Sequence, residues 1–173
     1  GPQFLGKVRI SGGGRCNVTH ACFEPGELAS RYPRGGRALI GPFQRFQASD
    51  TVAWFEGRGV RLKTESDGRM FPTTDSSQSI IDCLQHAARK AGVQLRARCG
   101  IDHLVRRPQG GFDLATSDGE TLGCDRLLLA TGGCRAAAQG QLAVTLGHTL
   151  EPPVPSLFTF HVETPWLREL AGV

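Results

Sequence analysis

The sequence predicts an α/β fold in which a helical lobe and a small antiparallel β-layer accompany a strand buried on both faces. Three patterns carry that prediction. Ile80, Ile81, Leu84, Ala87, Ala88 and Ala91 recur at helical spacing. Gly110-Gly111 and Asp118-Gly119 punctuate short β-prone runs. Leu127-Leu128-Leu129-Ala130 is apolar throughout, as a strand inside a parallel sheet must be.

From the N-terminus, Lys7 to Ile10 alternates like a short strand and runs into Ser11-Gly12-Gly13-Gly14. Three successive glycines offer no side chain to pack and lose much backbone entropy on ordering, so they predict a loop. Two amphipathic helices follow, from Gly36 to Phe46 and from Ser49 to Arg58. The second has Ser49 as N-cap and Asp50 in its first turn, with Val52, Phe55 and Val60 facing inward. Leu62 to Thr64 and Arg69 to Phe71 flank Asp67-Gly68 and read as a hairpin. Thr74 or Asp75 then caps the long helix, and Gly92 stops it. Strands are expected at Val93 to Ala97, Ile101 to Val105, Phe112 to Thr116 and Leu127 to Ala130, and a helix from Ala136 to Leu146. The proline-rich Glu151 to Pro155 stretch marks a boundary, giving one domain over residues 1–150 and the opening of a second, inserted one over residues 151–173.

Composition narrows the function classes. A hydrophobic share of 39% is that of a globular protein, and no apolar run approaches the length needed to span a bilayer. No basic stretch leads into an apolar N-terminal segment, so a cytoplasmic protein with no membrane partner is expected. The six cysteines have neither C-x-x-C pairs nor metal-ligand spacing, which predicts free thiols and no metal site. The net charge of +4 comes from scattered arginines without a basic block or interleaved aromatics, so no nucleic-acid partner is expected.

Two places carry the chemistry of nucleotide cofactors, which are held where a strand ends and a glycine turn lets the backbone approach a phosphate or a ring. One is Ala130-Thr131-Gly132-Gly133, after the apolar run. The other is Ser11-Gly12-Gly13-Gly14-Arg15-Cys16-Asn17-Val18-Thr19. There Arg15 brings a permanent charge with several donors, for a carbonyl or phosphate or else for a surface ion pair. Asn17 and Thr19 bring hydrogen-bonding groups that could also cap their own loop. Cys16 has no partner cysteine close in sequence and suits a buried small thiol better than a redox role. His148 suits a helix end better than a base.

The run from Lys7 through Thr19 resembles the signature of a bacterial flavoprotein family often called aminoacetone oxidase-like, which includes reductases of bile-acid metabolism. Tyr32-Pro33, Trp54-Phe55-Glu56, Gly59-Val60, Gly68-Arg69-Met70-Phe71-Pro72, Ala130-Thr131-Gly132-Gly133, Gly147-His148-Thr149 and Pro155-Ser156-Leu157 follow in the family's order, so the resemblance covers nearly the whole chain. It departs at His20, where the family more often has Asn, and after Gly133, where an alanine-rich stretch replaces a proline and a glycine-rich one.

The resemblance implies a two-dinucleotide-binding, Rossmann-like flavoprotein. It implies that Ser11 to Thr19 lie along the flavin of FAD, that Thr131, Gly132 and Gly133 return to the cofactor, and that the Ile101 backbone meets adenine. It also implies that the family's opening strand and G-x-G-x-x-G turn precede Gly1, leaving a partial FAD-binding domain with an unpaired sheet edge prone to self-association. The implied activity is a two-electron oxidation or reduction of a small-molecule substrate, with NADH or NADPH as candidate electron donor. No residue earns a catalytic role. The rival expectations are a non-catalytic binding or regulatory module of the same fold and, on charge alone, a basic RNA-binding domain.

Overall fold

A computed structural model describes residues 3–132, 137–154 and 164–168. The chain divides into two compact units, Gln3–Leu95 and a second one that begins at Arg96. Each is taken by itself.

The first unit begins with helix α1 (Gly6–Ile10), where the sequence predicts a strand. A lone extended run needs a neighbouring strand to satisfy its amides, whereas a helical turn satisfies them locally. Arg9 N donates to Leu5 O at 3.0 Å, and Val8 turns into the core while Ile10 stays 75% exposed. Beyond a tight turn at Ser11–Gly14 come β1 (Thr19–His20), α2 (Pro25–Ser30), α3 (Gly36–Arg45) and α4 (Ala48–Glu56). The cap of α4 is Gln47 and not Ser49, which lies inside the helix; the Asp50 carboxylate accepts from Gln47 N at 2.8 Å.

The hairpin forms as expected, from β2 (Leu62–Thr64) and β3 (Arg69–Pro72). With β1 added on the other edge of β3, the order is β1-β3-β2, all antiparallel. Helix α5 (Ser77–Lys90) is capped by Ser76, one residue beyond the Thr74 or Asp75 expected, with Gln78 N donating to its Oγ at 3.3 Å. It ends as the sequence predicts. Gly92 takes a φ of +69° and donates to Arg89 O, while Val93 N donates to Ala88 O, both at 3.0 Å. The core gathers Cys16, Phe55 and Ile80 with Val8, Val18 and Leu84 around them.

That helix cap removes an expected strand. Val93's amide closes the end of α5, and Val93 to Ala97 carry no strand, with Val93 and Leu95 left exposed.

The second unit is built on a meander of β4 (Ile101–Arg106), β5 (Phe112–Thr116) and β6 (Thr121–Cys124), in that order and antiparallel. Leu104 faces Leu114, and Leu114 faces Leu122, so one side of the sheet is a leucine row. Strand β6 is absent from the sequence reading because four residues with a glycine give little alternation. Helix α6 (Ala137–Thr145) packs against β4, close to its predicted bounds. The expected buried strand at Leu127 to Ala130 is overturned. These residues form no strand, and Leu128 is 87% exposed. A central parallel strand exists only between neighbours, and among the described residues both sheets are antiparallel and neither includes this run. A four-residue helix, α7 (Pro165–Arg168), lies in the stretch predicted to open a second domain, most of which falls outside the described residues. Among the described residues no helix is long and apolar enough to cross a membrane.

Ile81 is 1% exposed on the inner face of α5. Replacing it with Ala should cost about 2 to 5 kcal/mol through lost burial and the cavity left behind. Urea unfolding followed by far-UV circular dichroism checks this, and a midpoint equal to that of the parent would contradict the packing described.

Candidate functional site

The Ser11–Thr19 segment is a single constellation built on left-handed backbone. Gly12, Gly13 and Gly14 have φ of +56°, +67° and +87°, a region in which a Cβ is disfavoured, so the run depends on glycine. Two amides close it, with Arg15 N donating to Gly12 O at 3.3 Å and Cys16 N to Ser11 O at 2.9 Å. On one side Ser77 Oγ of α5 donates to Arg9 O at 2.9 Å. On the other, Val18 N donates to Met70 O at 2.9 Å, which hands the chain to β1 and its partner β3.

Beneath the glycines lies Phe71, 0% exposed. A Cβ on Gly12 would stand 2.8 Å from the Phe71 ring and 2.9 Å from Asn17 N, whereas a Cβ on Gly13 would meet nothing within 4 Å. The loop is therefore packed shut below Gly12 and open above Gly13. Beside it a groove of about 310 Å³ is lined by Lys7, Ser11 and Asn17 among apolar Val8, Val18 and Phe55. An apolar surface with a few polar groups is the make-up of small-molecule sites.

Arg15 lies across this floor. Its guanidinium is 4.0 Å from the centre of the Phe71 ring, and its Nη1 donates to Glu65 Oε1 at 2.5 Å and lies 3.7 Å from Asp75 Oδ1. The Glu65 carboxylate raises the Arg15 pKa further above its usual value. Of the two uses the sequence allows, the ion pair is the one this geometry displays. Asp75 is held below the ordinary carboxylate range chiefly by the Lys63 ammonium, which donates to it at 2.5 Å. Cys16 is buried in the core with a φ of +63°, and burial pushes its thiol pKa up. A thiol held in its neutral form is a poor nucleophile. His20, the departure from the family pattern, packs on Gly68 and lies with its Nε2 3.0 Å from Asp67 O. Glu65 and Phe71 are the residues that site reasoning missed; Phe71 lay within a matched run, and Glu65 had no signal of its own.

The remaining predicted site residues lie in the second unit. Ile101 is half-buried at the start of β4. Thr131 and Gly132 line a different groove, about 360 Å³, with Leu142 and Ala143 of α6. Gly133 falls outside the described residues. His148 follows the end of α6, where its amide donates to Ala143 O at 3.2 Å. Among the described residues no group of three or more His, Cys, Asp or Glu could hold a metal ion.

Against known proteins, residues 1–152 match the family described as "HI0933-like protein Rossmann domain". The chain belongs to this family. The family lies within the FAD-dependent oxidoreductase superfamily, which agrees with the resemblance read from the glycine run. Among its relatives, the Escherichia coli protein named ribosomal RNA dihydrouridine synthase is 32% identical over 176 residues, covering 96% of this chain and 42% of that protein. The Clostridium scindens 3-dehydro-bile acid delta(4,6)-reductase is 27% identical over 173 residues, 96% of this chain and 41% of that protein. A second ribosomal RNA dihydrouridine synthase, from Haemophilus influenzae, is 24% identical over 184 residues, the whole of this chain and 45% of that protein. The chain thus spans less than half the length of these curated relatives.

Two measurements follow from this geometry. Gly12→Ala should destabilise the first unit by about 2 kcal/mol or more, because a strained φ and a blocked Cβ act together. Gly13→Ala carries only the strain and should cost less. Thermal melts of the two variants side by side test the difference, and equal losses would contradict the packing over Phe71. The second concerns acid. Asp67 and Asp75 have folded-state pKa values below the ordinary 3.8, the first chiefly through the Arg69 amide and the second through Lys63. Their stabilising contribution is therefore present above that value and lost as pH falls through the lower, folded one. Melting midpoints should hold steady from neutral pH down to about pH 4 and fall below it, and Asp75→Asn should flatten that fall.

Proposed function

We propose that the protein containing this chain is an FAD-dependent oxidoreductase that reduces a carbon–carbon double bond conjugated to a carbonyl in a small molecule, with NADH or NADPH as electron donor. One observation carries the reading. The glycine run leaves an open face, free of side chains, above Gly13 and beside a groove of few polar groups, in a chain of this family.

The residues present fit the flavin side of such a cofactor. Ser11, Asn17 and Lys7 offer hydrogen bonds at the groove, the backbone at Gly13 offers close approach, and apolar Val8, Val18 and Phe55 would keep water from the contact. Arg15 holds the loop from below. For Ile101, Thr131 and Gly132 of the second unit, the assignment to FAD rests on the family resemblance alone. Bound flavin would supply the two-electron chemistry, and the protein its orientation and shielding.

The substrate class rests on the relatives' names. Dihydrouridine is uridine with the ring double bond next to its carbonyl saturated, and a 3-dehydro-bile acid delta(4,6)-reductase acts on double bonds conjugated to a ketone. Both are reductions of an electron-poor alkene, which accepts hydride readily. A second reading, an RNA substrate in place of a small molecule, is favoured by the 32% identical relative named for ribosomal RNA. A third, the non-catalytic module, is kept as an outcome of the test.

The natural full-length protein should be purified yellow, with a flavin spectrum that bleaches on anaerobic addition of NADH or NADPH. Recolouring by a steroid enone but not by uridine-containing RNA supports the small-molecule reading, and the reverse supports the RNA reading. A protein that binds flavin yet is bleached by neither donor is the non-catalytic module. A protein that takes up no flavin contradicts the reading outright.

A further inference from the structure

We infer that Glu65 is a positioning residue for the glycine loop, acting through Arg15 to hold the loop in the shape that admits the flavin. The inference rests on the reading of Ser11–Thr19 as the flavin-side loop.

An arginine beside a glycine run invites assignment to a ligand phosphate or carbonyl. Here its charge is engaged within the protein. The Glu65 carboxylate accepts from Nη1 at 2.5 Å, Asp75 lies at 3.7 Å, and the Phe71 ring covers the guanidinium face at 4.0 Å. A cation facing two carboxylates and a ring is tied down, so its contribution to a ligand is to fix the backbone that carries it.

Glu65 is placed to do this rigidly. It stands in the turn between β2 and β3, where its amide donates to Arg69 O at 2.8 Å and its carbonyl accepts from Gly68 N at 2.9 Å. Its second carboxylate oxygen lies 3.5 Å from Arg69 Nη2, so the carboxylate is shared between the two arginines that flank Phe71. The hairpin thus grips the loop twice, by the Val18 to Met70 hydrogen bond in the backbone and by Glu65 to Arg15 between side chains. Between those points lie Cys16, buried in the core, and Asn17, whose amide nitrogen would stand 2.9 Å from a Cβ on Gly12.

A half-exposed ion pair adds little to global stability. Losing it should loosen the loop while the core stays folded. Ligand affinity and overall stability then separate, which a purely structural pair would not produce.

The test uses the natural full-length protein stripped of flavin, with FAD as the probe in calorimetric titration. Glu65→Gln and Arg15→Ala should each weaken FAD binding about tenfold or more. The double variant should bind no more weakly than Arg15→Ala alone, because one residue acts through the other. Glu65→Asp should restore part of the loss. The thermal midpoint of the flavin-free Glu65→Gln protein should shift by only a few degrees, and amide hydrogen exchange over residues 12–17 should quicken in it. Unchanged FAD affinity in Glu65→Gln, losses that multiply in the double variant, or unchanged exchange over residues 12–17 would each overturn the inference. If the parent itself takes up no FAD, the functional reading fails as well, and that result is distinct from a parent that binds and a Glu65→Gln variant that binds equally.

Discussion

Everything around the candidate site depends on one constraint, a run of left-handed backbone at Gly12, Gly13 and Gly14 laid over a buried phenylalanine. Such a run costs conformational entropy and has no side chains to pack, so it persists only where neighbours over-determine it. They come from three directions. Helix α5 holds the chain before the run through Ser77, strand β3 holds the chain after it through Met70, and Arg15 clamps it from Glu65 and Phe71. Cys16 completes the arrangement. A non-glycine residue at positive φ is strained, and burial of its side chain with Phe55 and Ile80 is what offsets the strain. The thiol therefore reads as an anchor of the loop.

What was legible in the sequence follows from how local each element is. Helix α5 was legible because its apolar period and its glycine stop both act within the helix. The β2–β3 hairpin was legible because Asp67-Gly68 sets a turn by itself. Elements that need a distant partner were not. Lys7 to Ile10 and Leu127 to Ala130 carry strand-like patterns, and neither has a strand beside it among the described residues, so one becomes a helical turn and the other irregular. The apolar character of the second run describes the surroundings such a segment prefers and not those it has here.

The site was legible in the same uneven way. Successive glycines announce unusual backbone, and the order of motifs marks the family, so the left-handed run within Ser11 to Thr19 and the family were both legible from the sequence alone. The partner of Arg15 could not. Glu65 is fifty residues away in sequence, and nothing in the composition of the turn around it distinguishes a carboxylate that closes a loop from one that faces water. Only the fold of β1 onto β3 brings the two together.

That pairing changes what kind of site the loop is. With Arg15 free, recognition would run through charge and would weaken as salt screened it. With Arg15 neutralised by Glu65 and Asp75, the groove at Ser11 and Asn17 keeps Lys7 as the cation among its lining residues, and on the proposed reading its selectivity would rest on shape, backbone approach and a few hydrogen bonds. A flat, largely uncharged ring system suits a surface of that kind better than a phosphate does. The strongest charge of the motif thus serves architecture, while Gly13, with no side chain and nothing within 4 Å of where a Cβ would stand, leaves the open face to which the proposed function assigns the flavin.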